Sequence, residues 1–122
     1  MDKNWSIEEL KSKVQSFCEK RDWDQFHSPN ELAIGMSTEA NELLEIFRFQ
    51  TDEQMRELLK QTDSHNHIEQ ELADTFFFIL RFAQLYQIDL TEALEKKMKK
   101  NAERYTVEKS KGRNQKISEK TN

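Results

Sequence analysis

Two glycines, one proline and one cysteine in 122 residues leave little material for tight turns and none for an intramolecular disulfide. Gly and Pro punctuate short strands and hairpins, so their scarcity argues against an all-β architecture and for long helices. The lone Cys18 fits a reducing, cytoplasmic setting. No apolar stretch approaches the roughly 20 residues that a bilayer span demands. The opening Met1-Asp2-Lys3-Asn4-Trp5 lacks the apolar segment of a secretory leader. A net charge of −4 gives no general footprint for polymeric nucleic acid, although Lys and Arg concentrate towards the C-terminal end.

What the chain does have is helical periodicity. Ser6-Ile7-Glu8-Glu9 is a capping box that opens a first helix reaching Lys20. Ser28-Pro29-Asn30-Glu31 is a second, with proline at the favoured first helical position; its helix runs to Phe47. Thr51-Asp52-Glu53-Gln54 starts a short helix to Lys60, and Thr62-Asp63-Ser64 reads as the break after it. A long helix follows from Asn66 to Tyr86, and Asp89 caps the last one, which ends near Tyr105. The expected fold is an all-α bundle of four main helices and one short one. Residues 1–105 form the domain and residues 106–122 a polar, basic tail.

Two carboxylate pairs interrupt the apolar faces of this bundle. Glu39 and Glu42 are three residues apart, as are Glu71 and Asp74, and that spacing points both members of a pair to one side of a helix. On a helical wheel of about 100° per residue, Leu32, Met36, Leu43, Ile46 and Phe47 form one arc. Glu39 falls inside that arc and Glu42 at its edge, while Glu45 points to the opposite, wetter side. Glu71 lies between Phe78 and Phe82, and Asp74 beside Leu85. The competing reading, two acidic faces in ordinary solvent contact, does not explain why the acids coincide with apolar arcs on two helices. Inward acids brought together are unstable unless a cation belongs among them. Oxygen-only ligation suits Mg²⁺ or Mn²⁺. A di-iron bundle would carry Glu-x-x-His, and Asp74 stands in the place of that histidine, which excludes iron.

Lys97, Asn101 and Arg104 follow i, i+4, i+7 spacing on the face of Leu90 and Leu94. The expectation is that they point inward, across from the acids, and grip phosphate oxygens, with Tyr105 next to them. Trp23 to His27 joins the first two helices. Its aromatics either close the bundle end or, with Phe49 and Phe78, form a slot in which a base stacks; His27 is placed to hydrogen-bond a ligand. His65 and His67 read as surface residues.

These segments together resemble the MazG-like, all-α nucleoside triphosphate pyrophosphohydrolases, particularly the dCTP pyrophosphatase branch. The likeness runs from about Leu10 to Lys116 and rests on four segments in the family's order. They are Arg21-Asp22-Trp23-Asp24-Gln25-Phe26-His27, Glu39-x-x-Glu42, Glu71-Leu72-Ala73-Asp74 and Lys97-x-x-x-Asn101-x-x-Arg104-Tyr105. Any one alone is weak; the combination is specific. The resemblance implies Mg²⁺ held by Glu39, Glu42, Glu71 and Asp74, hydrolysis of a nucleoside triphosphate to monophosphate and pyrophosphate, and assembly as homodimers or homotetramers. It also places Trp23 and Phe49 around the base and Lys97, Asn101 and Arg104 near sugar or phosphates. A pyrimidine deoxynucleotide such as dCTP, or a modified form, is the expected substrate.

Four positions depart from the pattern. Thr38 replaces the first acid of the family's Glu-Glu doublet, Phe49 stands where the branch has Trp, Phe78 where it has Tyr, and Thr106 where Pro is usual. The two Phe substitutions keep stacking but lose an N–H and a hydroxyl, which leaves a broader base range, including dUTP, as an alternative. A non-catalytic helical interaction module is the alternative from another class; it would have no use for inward acids.

Overall fold

The computed structural model describes residues 1–118, and every regular element among them is helical. Six α-helices follow in order: α1 (Ile7–Glu19), α2 (Pro29–Phe47), α3 (Asp52–Lys60), α4 (Thr62–Leu85), α5 (Leu90–Arg104) and α6 (Val107–Ser110). A single 3-10 turn, Asp24–Phe26, lies between α1 and α2. No helix among the described residues is long and apolar enough to cross a membrane.

The caps work as local chemistry dictates. Ser6 Oγ accepts from the Glu9 N–H and the Glu9 carboxylate accepts from the Ser6 N–H. Thr51 and Gln54 repeat this reciprocal pattern. At α2 the Glu31 N–H donates to Ser28 Oγ. Each satisfies N-terminal amides that have no carbonyl of their own to bond.

One boundary differs from the sequence expectation. Thr62-Asp63-Ser64 does not break the chain but forms the first turn of α4, whose break from α3 is confined to the extended Gln61 (φ −78°, ψ 135°). Asp63 in that first turn favours the helix dipole, so the polar triplet suits a helix start. The polar tail after Tyr105 contains regular structure of its own. Thr106 accepts from the Lys109 N–H and caps α6, and the Ile117 N–H donates to the Tyr105 hydroxyl.

With only two glycines, some turns use side-chain-bearing residues in the left-handed region. Asp22, Phe49 and Gln87 have φ of 54°, 63° and 55°. For Phe49 this costs on the order of 1 kcal/mol.

The chain divides into two compact units, one of residues Met1–Gln87 and one that begins at Ile88. In the first, α4 is the central helix and packs against α1, α2 and α3. Its core is small: Cys18, Leu32, Ile68, Leu80 and Ala83. Ile34, Leu44, Leu72 and Ile79 are exposed in the single chain. The second unit holds α5 and α6.

Candidate metal and nucleotide site

α2 and α4 bring one carboxylate oxygen each from Glu39, Glu42 and Glu71 within 4.8 Å of one another. Glu71 is buried, Glu39 half-buried and Glu42 exposed. The buried Oε2 atoms of Glu39 and Glu71 have no hydrogen-bond partner among the described residues. Burial first, then a hydrogen bond and charge from Glu42, then a hydrogen bond with Glu71 and the charge of Asp74, push the Glu39 carboxyl up to about 7. Asp74 lies outside the three-carboxylate group but close enough for its charge to act on Glu39.

This donor set fits a hard divalent cation. It offers oxygen atoms, crowded negative charge, and two buried acceptors that no donor among the described residues reaches. A structural ion pair would have brought a Lys or Arg to those oxygens.

A cavity of about 420 Å³ adjoins the acids, lined by Glu42, Glu45, Ile46, Leu58, Ser64, His67 and Glu71. Glu45 therefore does not belong to a face remote from the site. It is exposed and bonded to Arg48 at 3.2 Å, yet it lines the same cavity as Glu42. The reason is tertiary: α3 and the first turns of α4 wall off a side of α2 that a helical wheel assigns to solvent. His67, exposed as expected, places Nε2 3.3 Å from Glu71 Oε1. Its i, i+4 spacing from Glu71 was the legible signal for that contact.

The aromatic residues separate into packed and projecting members. The Phe78 ring is half-buried against Gly35, where an added Cβ would come within 2.5 Å of it. Trp23 meets Phe17 edge-on at 5.7 Å and His27 at 6.2 Å. Phe49 is 89% exposed, held left-handed at the end of α2 with the Arg48 guanidinium over its ring.

His27 is half-buried, and its Nδ1 accepts from Arg81 Nε at 2.9 Å. Arg81 itself, with Asp24, went unrecognised in the sequence. An arginine inside Phe76–Leu85 is as conspicuous as an acid there, and the same argument would have found it.

Lys97, Asn101, Arg104 and Tyr105 belong to the second unit. Lys97 is exposed, and Asn101, Arg104 and Tyr105 are half-buried. Arg104 donates to the Tyr105 hydroxyl at 2.9 Å with its guanidinium over the Tyr105 ring.

Comparison with known proteins meets this geometry. The profile of the MazG-like family matches residues 34–119, a span that contains all four acids. dCTP pyrophosphatase 1 of Rattus norvegicus is 30% identical over 107 residues, covering 88% of this chain and 63% of that protein. dCTP pyrophosphatase 1 of Homo sapiens is 27% identical over 114 residues, covering 93% and 67% respectively. The chain thus spans less than two thirds of the rat relative's length. The crystal structure of a pyrophosphatase from Archaeoglobus fulgidus is similar with a TM-score of 0.77 at 31% identity, covering 87% of this chain and 97% of that one. An all-helical chain with paired acids on α2 and α4, matched by that profile over most of its length, belongs to the MazG-like family.

Proposed function

We propose that the protein is a Mg²⁺-dependent nucleoside triphosphate pyrophosphohydrolase acting on dCTP or a modified pyrimidine deoxynucleotide. The observation that carries this reading is the Glu39–Glu42–Glu71 cluster with its two donorless buried oxygens. The names of the rat and human relatives support the substrate class. Glu39, Glu42 and Glu71 hold the cation, with Asp74 completing the acidic set. When bound, Mg²⁺ neutralises triphosphate charge, polarises phosphoryl oxygens and acidifies water.

Water adds to the α-phosphorus, the bond from that phosphorus to the bridging oxygen breaks, and pyrophosphate leaves with the electron pair. Glu42, the exposed member of the cluster, is the carboxylate assigned the water proton. Trp23, Phe49 and Phe78 surround the base, and His27 hydrogen-bonds it. Strain tolerated at a Phe49 whose ring is 89% exposed supports a ligand role. Lys97, Asn101, Arg104 and Tyr105 serve sugar or phosphate oxygens.

Copies associate as dimers or pairs of dimers through the apolar residues that the single chain leaves exposed, Leu72 and Ile79 among them. Light scattering giving twice or four times 14.6 kDa is expected; a monomeric mass rejects this.

A screen of all common NTPs and dNTPs with Mg²⁺, scoring pyrophosphate against phosphate, tests the activity. The expected result is single-step pyrophosphate release, greatest with dCTP and abolished by EDTA. Stepwise phosphate release, or full activity in excess EDTA, overturns the proposal. Equal turnover of dUTP would replace the dCTP assignment by a broad pyrimidine one.

A further inference from the structure

Arg81 is the most deeply buried charged side chain described, at 0% exposure, and it lies outside the acidic cluster. Its three kinds of nitrogen are all engaged. Nε donates to His27 Nδ1 at 2.9 Å, Nη1 donates to Gln84 Oε1 at 2.6 Å, and Nη2 forms an ion pair with Asp24 Oδ1. The Tyr86 hydroxyl donates to the His27 carbonyl oxygen at 3.1 Å. The turn that carries Trp23 and His27 is thus tied to α4 at two side chains and to Tyr86, the residue that caps α4, at its backbone.

One of these bonds has a chemical consequence beyond anchorage. A guanidinium in a protein is always charged and has donors only. Nδ1 of His27 must therefore offer a lone pair, and the single proton of the neutral ring must sit on Nε2. The other tautomer, or the imidazolium, would set an N–H against the Arg81 N–H.

We propose that Arg81 is a positioning residue for base recognition, locking His27 as a neutral Nε2–H donor that reads an acceptor, O2 or N3, on the pyrimidine. This rests on the reading of the Trp23–His27 turn as the base end of the site. Two ring orientations or a proton exchanging between nitrogens would blur that reading; the guanidinium removes both. Burial and the Arg81 charge also hold the His27 pKa below the ordinary histidine value, while Asp24 acts in the opposite direction. Arg81, Asp24 and the Tyr86 hydroxyl are the ionisable groups that contact His27 or share its network. A clamp that merely holds the turn would affect stability without dictating which nitrogen carries the proton.

Two-bond ¹H–¹⁵N correlation spectra of the full chain, taken first without nucleotide, test the lock directly. His27 is expected to show an unprotonated Nδ1 and a protonated Nε2, and to stay mostly neutral at the pH where an ordinary histidine is half protonated. Adding an α,β-imido analogue of dCTP with Mg²⁺ should move the Nε2–H resonance. In Arg81→Met the spectra should show mixed tautomers, and KM for dCTP should rise on the order of tenfold with kcat changed much less. Arg81→Lys, which keeps a charged donor, should recover part of that loss. A His27 protonated on Nδ1 in the wild type, an Nε2–H that ignores the analogue, or an Arg81→Met enzyme with unchanged KM would each overturn the proposal. Should Arg81→Met fail to fold, the two wild-type spectra still decide it. Failure of the activity itself reads differently: no nucleotide would release pyrophosphate, while the His27 tautomer would stay measurable.

Discussion

Glu71 and Arg81 share α4, and each carries a buried ionisable side chain, but their surroundings are opposites. Arg81 donates to His27, Gln84 and Asp24. Glu71 has the His67 imidazole at one carboxylate oxygen, no partner at the other, and Glu39 and Glu42 beside it. Burying a charge is costly unless partners replace water. Around Arg81 the protein supplies them, and the charge holds a turn in place. Around Glu71 it does not, and that shortfall is what supports the proposed cation site.

The sharpest way to break this contrast is to neutralise each side. Glu71→Gln or Glu39→Gln should reduce pyrophosphate release by at least about a hundredfold while leaving far-UV circular dichroism unchanged, because a cation ligand is lost but the repulsion is relieved. Without metal, each variant should melt at or above the wild-type temperature. A variant with near wild-type turnover would remove that residue from the ligand set. Arg81→Met should do the reverse. Losing the guanidinium leaves the half-buried His27 Nδ1 without its donor and Gln84 without its partner, while the exposed Asp24 turns to water; the loss costs about 1–3 kcal/mol, measured as a lower denaturant midpoint. A neutral outcome would show that Arg81 adds nothing to the fold.

Varying pH sharpens the acid side alone. The folded pKa of Glu39 is raised from 4.5 to about 7, so the folded chain holds this proton more tightly than the unfolded chain. The associated stability is complete below the unfolded value and is lost as pH rises through the folded one. Metal-free protein should therefore melt at a lower temperature near pH 8 than near pH 5, by this contribution. Mg²⁺ should raise the melting temperature more at the higher pH. Glu39→Gln should flatten both trends, and a pH-independent Mg²⁺ shift would contradict the assignment.

A second contrast, between packed Phe78 and projecting Phe49, yields a smaller effect. Phe49→Gly removes a left-handed φ of 63° from a bulky residue and should stabilise the chain by about 0.5–1 kcal/mol. KM should nevertheless rise several-fold if the ring stacks on the base. Stability gained with KM unchanged would leave Phe49 without a ligand role. Smallest of all is Glu45→Gln. Its ion pair with Arg48 is more than half exposed on both sides, so stability should change by less than about 0.5 kcal/mol. Because Glu45 lines the cavity beside Glu42, a measurable shift in Mg²⁺ dependence is expected, whereas a wholly remote residue would give none.

Short-range features were legible in the sequence because their causes are local. The capping box at Ser6, the helix starts at Ser28 and Thr51, the helical character of every main segment, and the same-side placement of Glu39 with Glu42 all depend on residues three or four apart. The extended Gln61 was harder to read, since the polar triplet after it serves equally as a break or as a helix start.

Convergence is what only the tertiary structure decided. A helical wheel places Glu71 on an inward arc without saying whether it finds a partner there. The Arg81 contacts reach back 54 and 57 residues to His27 and Asp24. Glu45 changed from remote to cavity-lining because α3 and the start of α4 cover that side of α2. Periodicity assigns a residue to a face from its own helix alone. What that face meets depends on how separate helices pack, and in this chain packing distinguishes a satisfied charge from a waiting one.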